Sequence, residues 1–140
     1  MNIYTVTTEE QRQDAFKVRM EVFVEEQKVP EEEEIDEHEN EAWHFVAYDE
    51  GEPVAAGRLR KVHDYGKVER ICVRASHRKT GLGYKLMKHI EQLATDKNLD
   101  ELHLHAQTQA EKFYEKLDYK TTSGLFYDAG IPHVEMVKAL

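Results

Sequence analysis

The alternation of apolar and polar positions along the chain predicts a series of short strands. A strand turns successive side chains to opposite faces, so such runs indicate half-buried strands of a sheet. They lie at residues 2–6, 43–48, 53–60, 67–73 and 101–107. The sequence Asp-Glu-Gly-Glu at 49–52 separates two of them and is typical of a hairpin turn. Two further strands are predicted near 119–123 and 133–138.

Three other segments repeat their apolar positions at helical spacing. The first follows Thr8, which precedes Gln11 at the spacing of a capping box, and is expected to end before Pro30. The second and third cover residues 81–97 and 108–117. Their inward positions are Leu82, Leu86, Ile90, Leu93, Ala110, Phe113, Tyr114 and Leu117. The order β-α-β-β-β-α-β-α-β-β predicts a mixed α/β (α+β) fold with one sheet.

Length and composition restrict the class of protein. The chain has 140 residues, which predicts a single domain over 1–140. Its one cysteine, Cys72, allows no intrachain disulfide and fits a reducing compartment. The N-terminus does not resemble a signal peptide, and no apolar run approaches the length of a membrane span. We therefore expect a soluble, cytoplasmic protein without a membrane partner.

The charges are unevenly placed. The net charge of −9 argues against nucleic-acid binding, because phosphate backbones are met by basic surfaces. Ten acidic residues lie within 25–41, where Lys28 is the one opposing charge. Residues 30–41 are predicted to be an exposed loop, too acidic to pack. Residues 70–88 instead carry six lysines and arginines and no acidic residue, which makes this segment the first candidate for function.

The basic segment contains a strand, a loop with two glycines and a helix start. The first amides of a helix have no internal partner and attract anions, and Gly81 and Gly83 allow a phosphate to approach the backbone. Arg78 and Lys79 add formal positive charge. Neither a Walker loop nor a dinucleotide fingerprint matches these residues. The pattern predicts an anion site at residues 78–83.

Residues Arg78-Lys79-Thr80-Gly81-Leu82-Gly83 resemble motif A of the GNAT (GCN5-related N-acetyltransferase) superfamily, Arg/Gln-x-x-Gly-x-Gly/Ala after an apolar strand. The resemblance implies the GNAT fold, a mainly antiparallel sheet flanked by helices with a splayed central strand pair. It also implies acetyl-coenzyme A as co-substrate, with the loop around its pyrophosphate and the preceding strand along its pantetheine arm. The coenzyme-binding residues expected on this basis are Ile71, Cys72, Val73, Arg78, Lys79, Thr80, Gly81, Leu82, Gly83, Tyr84, Gln107 and Phe113.

A second segment, residues 110–119, resembles the family's Ala-x-x-Phe-Tyr-x-x-x-Gly-Phe motif, with Asp118 in place of the glycine. In the family, the tyrosine that matches Tyr114 lies near the thioester sulfur and protonates the departing thiolate. The N-terminal run Arg19–Gln27 and residues 130–136 resemble the YjcF and ElaA-like bacterial subgroup. Together these matches imply an N-acetyltransferase that transfers the acetyl group directly to a primary amine in a ternary complex.

The candidates for the general base are one carboxylate and two imidazoles. Glu69 precedes Ile71 by two positions on the same strand face and is the first candidate, with an ion pair to Lys67 or Arg70 as the alternative role. His44 and His133 are second candidates, each more easily explained as structural. Cys72 is expected to be a packed thiol. No metal site is expected, because the histidines lack a third spaced ligand.

The acceptor remains open at this stage. It is expected to be an amine of a small molecule or peptide, and the acidic segment 25–41 favours a cationic one such as a polyamine, aminoglycoside or lysine side chain. A solvated surface loop is the competing explanation of that segment. Two other functions stay open: a catalytically silent acyl-coenzyme A sensor, and a non-acetyl acyltransferase related to acyl-homoserine lactone synthases. The oligomeric state, including a homodimer, is also open.

Overall fold

A computed structural model describes residues 1–140 and contains one eight-stranded sheet. The strand order is β1-β2-β3-β4-β5-β8-β6, and β7 pairs with β8 beyond that path. All neighbouring strands are antiparallel except β4 and β5. The strands are β1 Asn2–Thr5, β2 Trp43–Asp49, β3 Glu52–Val62, β4 Tyr65–Val73, β5 Glu101–Gln107, β6 Lys120–Thr121, β7 Phe126–Asp128 and β8 Ile131–Ala139. The predicted mixed, mainly antiparallel sheet is confirmed.

Four helices flank the sheet. They are α1 Glu9–Arg19, α2 Glu31–Glu34, α3 Leu82–Asp96 and α4 Glu111–Glu115. The hydroxyl of Thr8 accepts a hydrogen bond from the Gln11 amide at 3.1 Å, so the predicted cap of α1 is present. None of these helices has the length and apolar composition that a bilayer crossing requires.

The parallel strands β4 and β5 pair over only three residues. Gly66–Val68 lie opposite Leu102–Leu104, and beyond these pairs the two strands separate. Arg70 adopts a positive φ of 60°, and the register between β3 and β4 shifts here, which places a bulge in β4 at the start of the separation. The splayed strand pair implied by the family resemblance is therefore present, and it leaves the β5-facing edge of residues 69–73 without a strand partner.

Helix α3 packs across the sheet and supplies much of the core. Its buried residues include Leu82, Leu86, Met87 and Ile90, each of which is at most 1% exposed. They form one cluster with apolar residues from β2, β3, β4, β5 and β8. The apolar stripe that predicted α3 is therefore its core face, except that Leu93 is only partly buried against the cluster.

Some predicted elements differ in detail. Helix α1 continues as a π-helix over Met20–Glu26 and ends before Pro30, as expected. The helix predicted at 108–117 begins as a 3₁₀ turn, Thr108–Ala110, and only Glu111–Glu115 is α-helical. The strand predicted near 119–123 is reduced to β6, and β7 was not predicted because three residues are too few to show an alternation.

The prediction of an exposed acidic loop at 30–41 is wrong. Residues Glu31–Glu34 form a helical turn, Glu39–Glu41 form a 3₁₀ turn, and the side chains of Glu34 and Glu39 are buried. The guanidinium of Arg19, itself fully buried, donates to Glu34 at 2.9 Å and to Glu39 at 2.8 and 2.9 Å. Charged residues of this segment pack because arginines from other elements neutralise them.

Candidate active site

The loop before α3 has the geometry of an anion site. Gly81, at a φ of 84°, occupies the left-handed conformation that favours glycine and precedes the first helical residue. The first amide of α3 that bonds within the helix is that of Lys85, which donates to the Gly81 carbonyl at 3.1 Å. The amides of Leu82, Gly83 and Tyr84 therefore lie at the positive end of the helix without an intrahelical partner.

The charged side chains of this loop differ in availability. Arg78 forms a bidentate ion pair with Glu26, with both N–O distances at 2.7 Å, and its Nε donates to the Val73 carbonyl at 2.9 Å. The Thr80 hydroxyl donates to the His77 carbonyl at 2.6 Å. Lys79 and Lys85 are exposed and form no ion pair. The two lysines can therefore contact an anion without first releasing another partner. Arg78 would have to release the Glu26 carboxylate before it could bind a phosphate.

Gly83 has a packing role in addition to the one predicted from the motif. A Cβ at this position would lie 3.3 Å from the Phe113 ring and 4.0 Å from Val73. A larger side chain here would therefore press on Phe113 in addition to narrowing the approach of a phosphate to the backbone. This contact brings the first turn of α3 against α4 and places the two sequence motifs side by side.

The strand edge next to the loop is available to a ligand. Cys72 and Val73 pair with Ala56 and Ala55 of β3, and on the other side β5 has already diverged. The Cys72 thiol is buried, and burial raises its pKa to about 12, so the group remains a thiol near neutral pH. Cys72 is a packed strand residue, as expected, and its backbone is what faces the gap.

A cavity of about 590 Å³ occupies the gap between β4 and β5. Its wall includes Glu69–Ile71 of β4, His105–Gln107 of β5, Tyr114 of α4 and His133 of β8. The acidic segment supplies another part of the wall, with Glu32, Glu33, Glu34, Asp36 and Glu37. The structure thus brings Ile71, Gln107, Tyr114 and Glu69 to one cavity, and the anion loop lies at the end of the same strand β4.

Tyr114 is buried, with 8% of its surface exposed, yet it lines the cavity. Its ring packs edge-on against Phe113 at 5.0 Å and Tyr119 at 5.8 Å between centroids. Burial raises the pKa of its phenol, with the Cys72 sulfur adding to the effect. The hydroxyl is therefore protonated near neutral pH, which is the state that a proton donor requires.

Glu69 also lines the cavity but is held by cations. Its carboxylate accepts from Arg58 at 2.9 Å and Arg60 at 2.7 Å, and Lys67 lies at 3.6 Å. Burial raises the pKa of Glu69, but these three cations outweigh it, so the net shift is downward. Of the two ion-pair partners proposed from the sequence, Lys67 is present, whereas Arg70 contacts Glu34 and Asp36 instead. A carboxylate in this setting is a weak proton acceptor.

The two histidine candidates occupy different places. His44 Nε2 donates to the Glu39 carbonyl at 2.7 Å, its Nδ1 is buried without a partner, and it does not line the cavity. Burial lowers its pKa. His133 does line the cavity, close to the end of β5. Of the two histidines, His133 lines the candidate active-site cavity and His44 does not.

Sequence reasoning missed the arginines that support the cavity wall. Arg58 is fully buried and joins Asp36, Glu39 and Glu69 at 2.8, 3.0 and 2.9 Å. Along the sequence, Arg19 is marked only as the first residue of the N-terminal family motif. A signal was available, because Arg19 follows Ala15 and Val18 and precedes Val22 at helical spacing, on the buried face of α1.

The fold and the site together define a class of protein, a mixed α/β domain in which a helix start with unpaired amides lies beside a splayed strand pair. Comparisons with known proteins identify this class. The model of the acetyltransferase (GNAT) domain family matches residues 6–140. The chain is 53% identical over 139 residues to the uncharacterized N-acetyltransferase YjcF of Bacillus subtilis, with 99% of each chain covered. The chain belongs to the GNAT acetyltransferase family.

Solved structures agree in fold. Escherichia coli ElaA superposes with a TM-score of 0.89 at 23% identity, covering 99% of both chains. A GNAT family acetyltransferase from Elizabethkingia anophelis, solved with acetyl-coenzyme A bound, has a TM-score of 0.79 at 15% identity, covering 99% of this chain and 97% of that one. At these identities the likeness concerns the fold, and it confirms the predicted GNAT architecture.

Proposed function

We propose that this protein transfers an acetyl group from acetyl-coenzyme A to a primary amine of a small molecule or peptide. The observation that carries the proposal is the cavity between the splayed strands, which Tyr114 lines and which lies on the strand that leads into the anion loop. Family membership supports the same reaction. The lone, buried Cys72 is consistent with the cytoplasm as the compartment.

The residues present fit the coenzyme. The unpaired amides of Leu82, Gly83 and Tyr84 suit a pyrophosphate, and the exposed Lys79 and Lys85 add charge around it. The unpaired edge of β4 at Ile71–Val73 suits the amide groups of a pantetheine arm, which would add to the sheet as a strand does. In that position the thioester would reach the cavity, where backbone amides near Cys72 and Val73 can polarise its carbonyl.

Tyr114 is proposed to donate the proton that the departing thiolate needs. Its phenol lines the cavity and stays protonated near neutral pH, because burial raises its pKa. Thiolates are basic enough to accept a proton from a phenol in direct contact. Burial of the ring among Phe113 and Tyr119 fixes the hydroxyl position, which limits the reorganisation needed during the reaction.

The acceptor is proposed to be cationic. Glu32 and Glu33 of the acidic segment and Asp128 of β7 line the cavity and form no ion pair, whereas the deeper carboxylates are neutralised by arginines. Unpaired carboxylates at a cavity mouth attract cations and raise their local concentration. A polyamine, an aminoglycoside or a lysine-containing peptide fits this requirement.

The proposal is tested by titrating acetyl-coenzyme A calorimetrically and by following its thiol release with a panel of amines. Tyr114→Phe should keep coenzyme affinity within a few-fold while kcat falls by roughly 10²–10⁴-fold, the range for loss of a general acid. Tyr119→Phe is the control, because it removes a buried hydroxyl that bonds to Glu91, outside the cavity, and should keep kcat. Coenzyme binding without turnover on any amine would instead indicate a silent sensor, and no binding would reject the proposal.

A further inference from the structure

The cavity contains one imidazole whose protonation pattern is set by the backbone. His133 is 8% exposed, and its Nδ1 lies 2.7 Å from the carbonyl oxygen of Ile131. A carbonyl oxygen only accepts hydrogen bonds, so Nδ1 carries the proton in the neutral ring. The other nitrogen, Nε2, then presents a lone pair, and no protein group hydrogen-bonds to it.

His133 lies in the wall of the candidate active-site cavity. His133 lies opposite Gln107, the last residue of β5, at the end where β5 has separated from β4. It lines the same cavity as Tyr114 and Ile71. The imidazole ring stacks on Phe126, with 6.0 Å between the ring centroids and an interplanar angle of 21°. The hydrogen bond to Ile131 and the Phe126 ring therefore both restrain its orientation.

We infer that His133 Nε2 is the proton acceptor for the amine, an inference that rests on the proposed acetyl transfer. The incoming ammonium gives one proton to Nε2 and becomes a neutral amine. Its nitrogen forms the bond to the thioester carbonyl carbon, and the carbon–sulfur bond breaks. Tyr114 protonates the leaving thiolate and is restored by the second proton of the nitrogen, and the imidazolium releases its proton to water.

This assignment replaces Glu69, the first candidate from the sequence. Three cations surround the Glu69 carboxylate, so a proton on it would be opposed by all of them. The charged and titratable groups that line the cavity with His133 are of both signs. They are Lys67, Glu69 and Arg70 of β4, His105 of β5, Tyr114 of α4, Asp128 of β7 and the carboxylates of the acidic segment.

His105 provides a matched control on the neighbouring strand. It lines the same cavity and contacts the same Phe126 ring, at 4.9 Å between centroids. Its Nε2 faces Glu135 at 4.0 Å, and no backbone carbonyl fixes its tautomer. Removing His105 therefore perturbs the same region without removing the proposed proton acceptor.

The test compares His133→Asn and His105→Asn with the wild type, using two nucleophiles. Spermidine is an ammonium at neutral pH and needs a base, whereas O-methylhydroxylamine is already neutral and does not. His133→Asn should lower kcat with spermidine by roughly 10²–10⁴-fold and leave transfer to O-methylhydroxylamine within about threefold. His105→Asn should change the two rates by a similar factor, because it alters the cavity wall without removing the proposed proton acceptor. Melting temperatures confirm that the variants are folded.

The pH profile and the ring tautomer add two further readouts. With spermidine, kcat/KM of His133→Asn should rise with pH as free amine accumulates, and more steeply than kcat/KM of the wild type. Long-range proton–nitrogen NMR of the histidines should show protonated Nδ1 and bare Nε2 for His133.

The outcomes separate two kinds of failure. Three kinetic results would overturn the assignment while acetyl transfer stands: an equal loss of kcat with both nucleophiles in His133→Asn, an unchanged kcat in His133→Asn, or a larger loss of kcat in His105→Asn. A protonated Nε2 in the neutral His133 ring would overturn it as well. Transfer by the wild type to O-methylhydroxylamine alone would also overturn it, because no ammonium is then activated. Absence of wild-type transfer to both probes and to every other amine of the panel would overturn the assignment together with the proposed function.

Discussion

Two groups of arginine–carboxylate pairs in this protein have similar geometry and different surroundings. Arg19 and Arg58 bind Glu34, Asp36, Glu39 and Glu69 at 2.8–3.0 Å with both guanidinium groups fully buried. Arg74 and Arg78 bind Glu21 and Glu26 at 2.7 Å on the surface. We call these sets the buried cluster and the surface pairs.

The difference shows that burial, more than pairing distance, determines the role of a charged residue. In the buried cluster each charged group depends on its partner, because water cannot reach it to replace that partner. The cluster therefore holds the acidic wall of the cavity in place. In the surface pairs water can replace either partner at little cost. Arg78 can therefore exchange Glu26 for a phosphate, whereas Arg19 has no alternative partner.

The largest expected effect comes from breaking the buried cluster. Arg19→Met keeps much of the side-chain volume and leaves Glu34 and Glu39 short of positive charge in a buried site. We expect it to lower the free energy of unfolding by about 3–5 kcal/mol, the usual cost of removing one partner of a buried pair. Urea denaturation measures the change.

The matched control is Arg74→Met, which breaks a surface pair and should cost about 0–1 kcal/mol. Equal losses in the two variants would show that the two groups of pairs do not differ energetically. A near-neutral Arg19→Met would show that Arg70 and Arg58 suffice for Glu34 and Glu39, the carboxylates that they also contact.

An intermediate effect is expected from acid. Burial raises the pKa of Glu39 and of Asp36, but hydrogen bonds and charges from Arg19 and Arg58 outweigh it, and both pKa values fall to about 2. Their folded-state values lie below the unfolded ones, near 4. Their contribution to stability is therefore present above about pH 4.5 and is lost as the pH falls toward 2, with about 2–4 kcal/mol lost at about pH 3.

Glu34 opposes this trend. Burial raises its pKa more than Arg70 and Arg19 lower it, so its protonation in acid favours the folded state. The free energy of unfolding of the wild type, followed from about pH 7 to 3, should still decrease, and Glu39→Gln should flatten the dependence. A dependence that is unchanged in Glu39→Gln would contradict the lowered pKa of this residue.

The smallest expected effect concerns a surface pair. Glu26→Gln removes the carboxylate that occupies Arg78 and frees the guanidinium for a phosphate. Coenzyme A should bind about 1.5–5-fold more tightly, which corresponds to the 0.2–1 kcal/mol of an exposed ion pair. The advantage should shrink at high salt.

Calorimetric titration of coenzyme A measures this change, with Glu25→Gln as the control. Glu25 is an exposed neighbour that forms no ion pair, so its loss changes the net charge equally without releasing Arg78. The exchange of partners at Arg78 would be disproved by unchanged affinity in Glu26→Gln, or by the same gain in both variants.

The sequence by itself determined the main strands and helices and the local geometry of the loop before α3. Strand alternation, the stripe of α3 and the cap at Thr8 depend on residues close in the chain, and local spacing encodes them. The loop at residues 78–83 is also local, because a strand end, glycines and a helix start suffice to leave the first helix amides unpaired.

The tertiary structure alone decided which charges are buried and which proton acceptor is available. Whether Glu34 packs or is solvated depends on Arg19, fifteen residues away, and Glu69 is restrained by Arg58 across a strand pair. Whether His133 presents a bare nitrogen depends on a backbone carbonyl and on the separation of β4 from β5. The charge state of a side chain follows from its neighbours in space, and the order of residues along one segment does not specify those neighbours.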